Sequence, residues 1–238
     1  MKKLTTIILL AIALSGLIAC KKGVTGAGPL VSQGRVITDF KTIELQMYGD
    51  VYYTNAPTRK LEIVAQQNIL DILETVITDH KLVIRFKHGN DYRESDQIRI
   101  NVSGPDVNNL ITTTAGSITV INGIYSDNVV LRVYGSGDIK LNSVHASTID
   151  AINSGSGSIK SVTGSVLVEN LKSSGSGDID LVRVESKDVK AIVSGSGDIK
   201  VRATDQLHAT INGSGSIYFS GFPDVSSHVS GTGRLVRF

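Results

Sequence analysis

The chain has 238 residues, with 24 Gly, no Trp, one Cys, and 5% aromatic against 41% hydrophobic residues. A single cysteine excludes an internal disulfide and every Cys-rich metal site, and a formal charge of +2 without a dense Lys/Arg patch excludes a dedicated nucleic-acid binder. A core without large rings must be filled by Val, Ile, Leu and Ala, which favours thin repetitive layers, and 19% charged residues among regular β-branched runs exclude a disordered polymer.

Lys2 and Lys3 precede an apolar run from Leu4 to Leu14, the layout of a secretory signal peptide over residues 1–19. The segment is too short and too polar to make a good membrane span. Leu17-Ile18-Ala19-Cys20 resembles the bacterial lipobox, in which the cysteine thiol receives a diacylglyceryl group and becomes the new N-terminus. The alternative is an ordinary signal peptide with an incidental cysteine. On the lipobox reading Cys20 carries the lipid and palmitate, and removal of residues 1–19 leaves 219. Lys2 and Lys3 leave with that segment, so 22 basic residues face 22 acidic ones and charge no longer points to any partner. Several acyl chains anchor stably, because each buried methylene contributes about 0.8 kcal/mol. A membrane surface is therefore the expected partner. By resemblance to known lipoproteins, Lys21 in place of Asp directs the protein to the outer membrane. The stretch 21–28 lacks the acidic residues that usually accompany export to the cell surface, which leaves the periplasmic or outer face open.

Residues 20–34 are small, polar and Gly-rich without periodicity and read as a flexible tether. The folded pattern covers 35–238. Ile43, Leu45 and Met47 alternate, Val51 to Thr54 follows a Gly49-Asp50 turn, and Leu61, Ile63 and Ala65 alternate again. Between Asn68 and Ile77 the apolar residues stand at helical spacing with Asn68 as the N-cap, which predicts a short helical turn. Lys81 to Lys87 returns to strand, and a charged loop from Tyr92 to Asp96 precedes Ile98, Ile100 and Val102.

The second half is a repeat spanning 114–233. The pairs Gly135 and Gly137, Gly155 and Gly157, Gly175 and Gly177, Gly195 and Gly197, and Gly213 and Gly215 each flank a serine and precede Asp-Ile or Ser-Ile. The steps are 20, 20, 20 and 18 residues, with weaker copies at Gly116 and at Gly231-Thr232-Gly233. Fixed-period self-similarity of this kind marks a solenoid. Within one period, Asp138 to Val144 and Ser147 to Asn153 read as two strands. The glycines are read as structural turns that supply backbone angles other residues resist and let chain approach chain. Stacking the periods gives a column of Ile139, Ile159, Ile179, Ile199 and Ile217, a second of Leu141, Leu181, Val201 and Phe219 that Ser161 breaks, and a narrow one of Ala151, Leu171, Ala191 and Ala209. Val166, Leu167 and Glu169 fit this alternation poorly. Periods of this length add in parallel at about 4.8 Å per coil, so roughly ten coils would make a rod near 50 Å long. The expected fold is all-β, a parallel β-helix or β-solenoid; antiparallel hairpins in a sandwich are the alternative. Its ends would be exposed sheet edges, to be covered by the N-terminal region or by self-association into a homo-oligomer.

Arg35-Val36-Ile37-Thr38-Asp39-Phe40, Gly49-Asp50-Val51, the stretch 68–86, Val102-Ser103-Gly104-Pro105 and the Gly-Ser-Gly ladder together resemble the "auto-transporter adhesin, head GIN domain" family, many members of which are lipoproteins of Bacteroidetes. The resemblance implies a right-handed β-helix related in shape to pectin lyases, no shared catalytic residues, and a role in adhesion. The chain departs from a trimeric autotransporter in having no heptad stalk and no C-terminal barrel segment, so the lipid anchor is expected to take their place.

The five histidines, at 80, 88, 145, 208 and 228, have no metal-type spacing and read as surface or turn residues. A nucleophile need exist only once, so the fivefold Gly-Ser-Gly favours a structural role over a nucleophile elbow. Asp138, Lys140, Asp178, Asp180, Asp198 and Lys200 are expected to form outward charged ladders of alternating sign, either a solvated face or a strip that binds glycans or surfaces. Gly-Ser-Gly-Asp is similar to calcium-binding β-roll turns, but those repeat every nine residues, and Ser158 and Ser216 replace Asp here. Neither a metal nor a cofactor is expected. The reading is a non-enzymatic, lipid-anchored envelope protein that presents a repetitive face to a glycan or protein ligand. Its alternatives are a polysaccharide-acting enzyme, which would need a non-repeated acid cluster, and a periplasm-facing structural lipoprotein.

Overall fold

The computed structural model describes residues 22–92, 97–105 and 107–238. Cys20 and the signal peptide lie outside the described residues. Alternating apolar residues build short strands whose inward side chains stack coil upon coil. Ile118, Ile139, Ile159, Ile179, Ile199, Ile217 and Leu235 are parallel partners in unbroken succession. Leu131, Ala151, Leu171, Ala191 and Ala209 form the facing column. A third side runs through Ile124, Val144, Gly164 and Val184. The two strands of a period are Ile139–Leu141 and Val144–Asn153, the longer one bending so that it serves two sides. The alanine column keeps the layers close, and among the described aromatic residues only Phe40, Tyr53 and Phe219 are buried.

The repeat makes about six turns spaced by about 20 residues, and the same parallel column continues through Val51 to Ile100, so the stack falls a little short of the roughly ten coils and 50 Å expected. The expected length counted residues 56–108 as coils. They contribute instead one more parallel layer and, beyond it, antiparallel strands at the first edge of the stack. Thr42–Leu45 and Asp50–Asn55 make the first coil, paired in parallel with Asn109–Thr112 and Ser117–Val120. On their other edge lie Lys81–Phe86 and Arg99–Gly104, also parallel. Beyond these the chain reverses: Leu73–Thr78 runs antiparallel to Lys81–Phe86, and Lys60–Gln66 runs antiparallel to both Arg99–Gly104 and Leu30–Arg35. The hairpin at residues 79 and 80 turns on two left-handed residues, Asp79 and His80, with φ of 50° and 57°, the geometry that matches strand twist in two-residue loops. The inserted strands cover one end of the stack. At the other, Asp224–Val229 is exposed along its whole length.

Two expectations change here. The stretch 20–34 is not a free tether where it is described: Leu30–Arg35 is a strand on Lys60–Gln66, and Lys22–Val24 pairs with Asn90–Tyr92. The helical turn shrinks to Gln67–Leu70, capped at Gln66 without a side-chain bond, and residues 73–78 are strand. Asn68 is not the cap. Its amide donates to the Thr25 carbonyl at 2.8 Å and its carbonyl oxygen accepts from the Ala27 N–H at 3.0 Å, so it ties the N-terminal segment down.

Candidate functional site

The Gly-Ser-Gly bend recurs in five successive coils. None of the ten glycines from Gly135 to Gly215 in these pairs has positive φ, so the expectation that they supply unusual backbone angles is corrected. Close approach is the whole reason. A Cβ on Gly155 would run into the carbonyl oxygen of Gly135, and one on Gly177 into that of Gly157, nearer than the 3.0 Å that Cβ atoms essentially never breach. The amide of Ser176 donates to Gly155 at 3.0 Å, so backbone hydrogen bonds join bend to bend. The middle serines, Ser136, Ser156, Ser176, Ser196 and Ser214, point outward and are exposed.

The residue after each pair also acts along the stack. Asp138 Oδ1 accepts from the Ser158 N–H at 2.8 Å and its hydroxyl at 2.9 Å. Asp178 accepts from the Asp198 N–H at 2.8 Å, and Asp198 from the Ser216 N–H at 2.7 Å. Ser117 and Ser216 do the same for Asp138 and Arg234, each at 3.1 Å. Burial pushes the Asp138 carboxyl up, but the Lys140 ammonium and the Ser158 donors outweigh it and hold the group below the usual carboxylate range. Asp138, Asp178 and Asp198 are therefore spacers between coils that also keep an outward side, where Asp138 pairs with Lys140 at 2.9 Å; beside them runs the ladder of Lys140, Lys160, Asp180 and Lys200. Replacing Asp198 by Ala should cost about 1–3 kcal/mol in a urea titration, since a sheltered N–H loses a charged acceptor; an unchanged midpoint would refute the spacer role.

Inside the bend a second polar row does comparable work. Thr112, Asn153 and Ser173 are buried and reach the carbonyls of Gly116, Gly157 and Gly177 at 2.6, 2.6 and 3.2 Å. They occupy positions that Val133 and Val193 fill in neighbouring coils, and only the tertiary fold shows why polar groups belong there.

Glu169 is the buried group that the alternation could not place. It stands in the core between Ile149 and Val189 and is wholly inaccessible. The buried Ser186 hydroxyl is near the carboxyl, but neither it nor either carboxyl oxygen makes a hydrogen bond of good geometry. Burial pushes the carboxyl up to about 8, and Ser186 draws it back only in part.

A groove of about 1010 Å³ lies on the outer face of the capping insertion. Outward residues of Asp50–Asn55, Arg99–Gly104 and Lys60–Gln66 form its floor, with the 34–37 loop and Ile121 as walls. The Arg99 guanidinium lies 4.4 Å from the Tyr52 ring centre, and its Nε donates to Asn101 at 3.2 Å. Arg59 pairs with Asp39 at 3.1 Å. Elsewhere Tyr125 and His145 stack at 5.2 Å, with His145 3.1 Å from Ser165. Among the described residues no three His, Cys, Asp or Glu side chains are grouped as a metal ion would require, and no helix is long and apolar enough to cross a membrane.

Stacked parallel coils, a capped first end and an exposed Gly-Ser-Gly edge define an extended β-solenoid. Residues 39–223 match the model of the family described as "Putative auto-transporter adhesin, head GIN domain", and the chain belongs to that family. A crystal structure of a "putative adhesin" from Bacteroides fragilis superposes with a TM-score of 0.86 at 24% identity, over 91% of this chain and 100% of that one. A "putative lipid binding protein" from Parabacteroides distasonis gives 0.76 at 23%, with 91% and 100% covered. A "putative adhesin" from Parabacteroides merdae gives 0.72 at 21%, with 91% and 99% covered. At these identities the likeness establishes the fold. No curated protein matches the chain.

Proposed function

We propose that the protein is a non-enzymatic adhesin of the cell envelope, held on the outer membrane by a lipid on Cys20, which binds extended ligands through its solenoid surface. The observation that carries this reading is the exposed, uncharged serine edge, repeated coil after coil on a rigid backbone ladder. Its spacing of about 4.8 Å suits a periodic ligand such as a glycan or a partner protein. Membership of an adhesin-named family supports the reading. The enzyme alternative loses its best acids, because Asp138, Asp178 and Asp198 already accept backbone N–H groups. One structural neighbour is named for lipid binding; in this reading lipid enters as the anchor.

Cells producing the full chain should label with palmitate and adhere to glycan- or protein-coated surfaces. Cys20→Ala should abolish labelling, release the protein from the membrane fraction and reduce adhesion to background. Retained labelling would refute the anchor, unchanged adhesion in cells lacking the protein would refute the adhesin, and polysaccharide cleavage lost in Asp198→Asn would refute the non-enzymatic reading. Proteolysis of intact cells distinguishes an outer from a periplasmic face.

A further inference from the structure

The groove on the capping insertion differs from the serine edge in being charged, concave and unrepeated. Arg35, Arg59, Lys60 and Arg99 line it against one carboxylate, Glu62. The contacts of these cations differ. Arg35 is committed to Gln33, Thr75 and the Leu70 carbonyl, and Arg59 is held by Asp39. Arg99 uses Nε on Asn101 and rests on Tyr52, which keeps its guanidinium plane fixed. Such a plane suits bidentate recognition of a carboxylate or sulfate, and the exposed Lys60 adds a mobile charge nearby.

The floor decides what the rest of the ligand is. Leu61 and Val102 border the groove but are 3% and 2% exposed, their side chains turned into the core. The outward alternates are Thr54, Asn101, Ser103 and Glu62, donors and acceptors in a row. Glu62 is oriented by the Ser32 hydroxyl and by the Asn101 amide at 3.4 Å. Most of these groups already pair with one another or with nearby backbone, Ser103 with the Thr58 carbonyl at 2.9 Å, and the Tyr52 ring adds apolar surface to the floor. A saccharide, with apolar ring faces and hydroxyls for the remaining lone pairs, matches this mixed lining, whereas an acyl chain would match only its apolar part. Val36, fully exposed, and Ile121, 47% exposed, stand at the walls where the apolar faces of a sugar ring would lie.

We propose that this groove binds an anionic saccharide, its acid group on Arg99 and Lys60 and its hydroxyls on Thr54, Asn101, Ser103 and Glu62. The proposal rests on the adhesin reading and names the ligand class of one site within it.

The test is calorimetric titration of the detergent-solubilised full-length protein with oligogalacturonate, a heparin fragment, neutral dextran oligosaccharide and oleate. At least one acidic glycan should bind, with affinity falling as salt rises, and dextran should bind about tenfold more weakly or worse. Arg99→Gln should weaken acidic-glycan binding by about tenfold or more. Lys60→Gln, on an exposed side chain that folding does not need, should weaken it by a smaller factor. Circular dichroism melts that match the wild type separate lost binding from lost folding. Equal affinity for dextran, preference for oleate, no binding of either acidic glycan, or undiminished binding in both variants overturns the proposal. The two readings fail separately. Cells that adhere with Arg99→Gln as well as without it, together with no glycan binding, sink the groove alone; acidic-glycan binding by a protein whose cells do not adhere sinks the adhesin alone.

Discussion

Replacing Gly177 by Ala destabilises the solenoid by about 3–5 kcal/mol, more than most single substitutions. The added methyl would overlap the Gly157 carbonyl oxygen and press on the Ser156 backbone, and it would come within 2.8 Å of Asn153 Nδ2, which bonds the Gly157 carbonyl at 2.6 Å. Backbone cannot yield here without breaking the bonds from the Ser176 and Gly177 amides to Gly155, at 3.0 and 3.1 Å. Each coil of a solenoid leans on its neighbours, so the damage spreads to the adjoining bends. Ser176→Ala, one residue away on the exposed rim, should change stability by about 0.5 kcal/mol or less. Urea titrations of the two variants provide the check: equal midpoints would mean that the glycines are not there for coil contact. Against a native stability of about 5–15 kcal/mol, the glycine variant would be marginal or unfolded at physiological temperature.

Glu169→Val should raise stability at pH 9 by an amount on the order of 5 kcal/mol and remove most of the pH dependence above pH 5. The carboxyl is pushed from 4.5 in the open chain to about 8 in the fold by burial. A group with a raised folded value keeps its proton in the native state where the unfolded chain would lose it. Its contribution is fully present below about 4.5, falls as pH rises, and is gone once the solution passes about 8. Above that, the fold must hold an unpaired charge among Ile149 and Val189, or bear the cost of protonating it. Valine restores the aliphatic column and removes the titration. Glu169→Gln removes only the titration and leaves a polar group without partners. Midpoints from urea unfolding between pH 5 and 9 should fall for the wild type and stay level for both variants. Parallel curves would show that Glu169 does not titrate in this range.

Much of the stack was legible because its determinants are local and repeated. Alternation placed the isoleucines inward, and the constant period put them over one another, as the parallel register from Ile118 to Leu235 bears out. The glycine positions were legible and half of their reason was not: the bend's dihedrals are ordinary, and the requirement comes from a carbonyl one coil away. Asp138 and Asp198 were half legible for the same reason, since alternation tells in from out but does not show the bonds they make along the stack. Glu169 left a visible signal, a broken pattern, and burial gave it meaning.

The chain by itself determined its layered β character, its period and the members of its core columns, because a period of two and a repeat of 20 residues are written in neighbouring positions. Tertiary structure alone decided the end cap and the groove. Tyr52 and Arg99 are 47 positions apart in the chain and meet because Asp50–Asn55 pairs with Arg99–Gly104; Asn68 finds its partners more than 40 residues upstream. Such pairings close long loops between segments that carry no repeat, and their register is set by which edges of the first coil remain to be covered. The part of the molecule that stacks could be read in advance, and the part that caps it and forms the Arg99 groove could not.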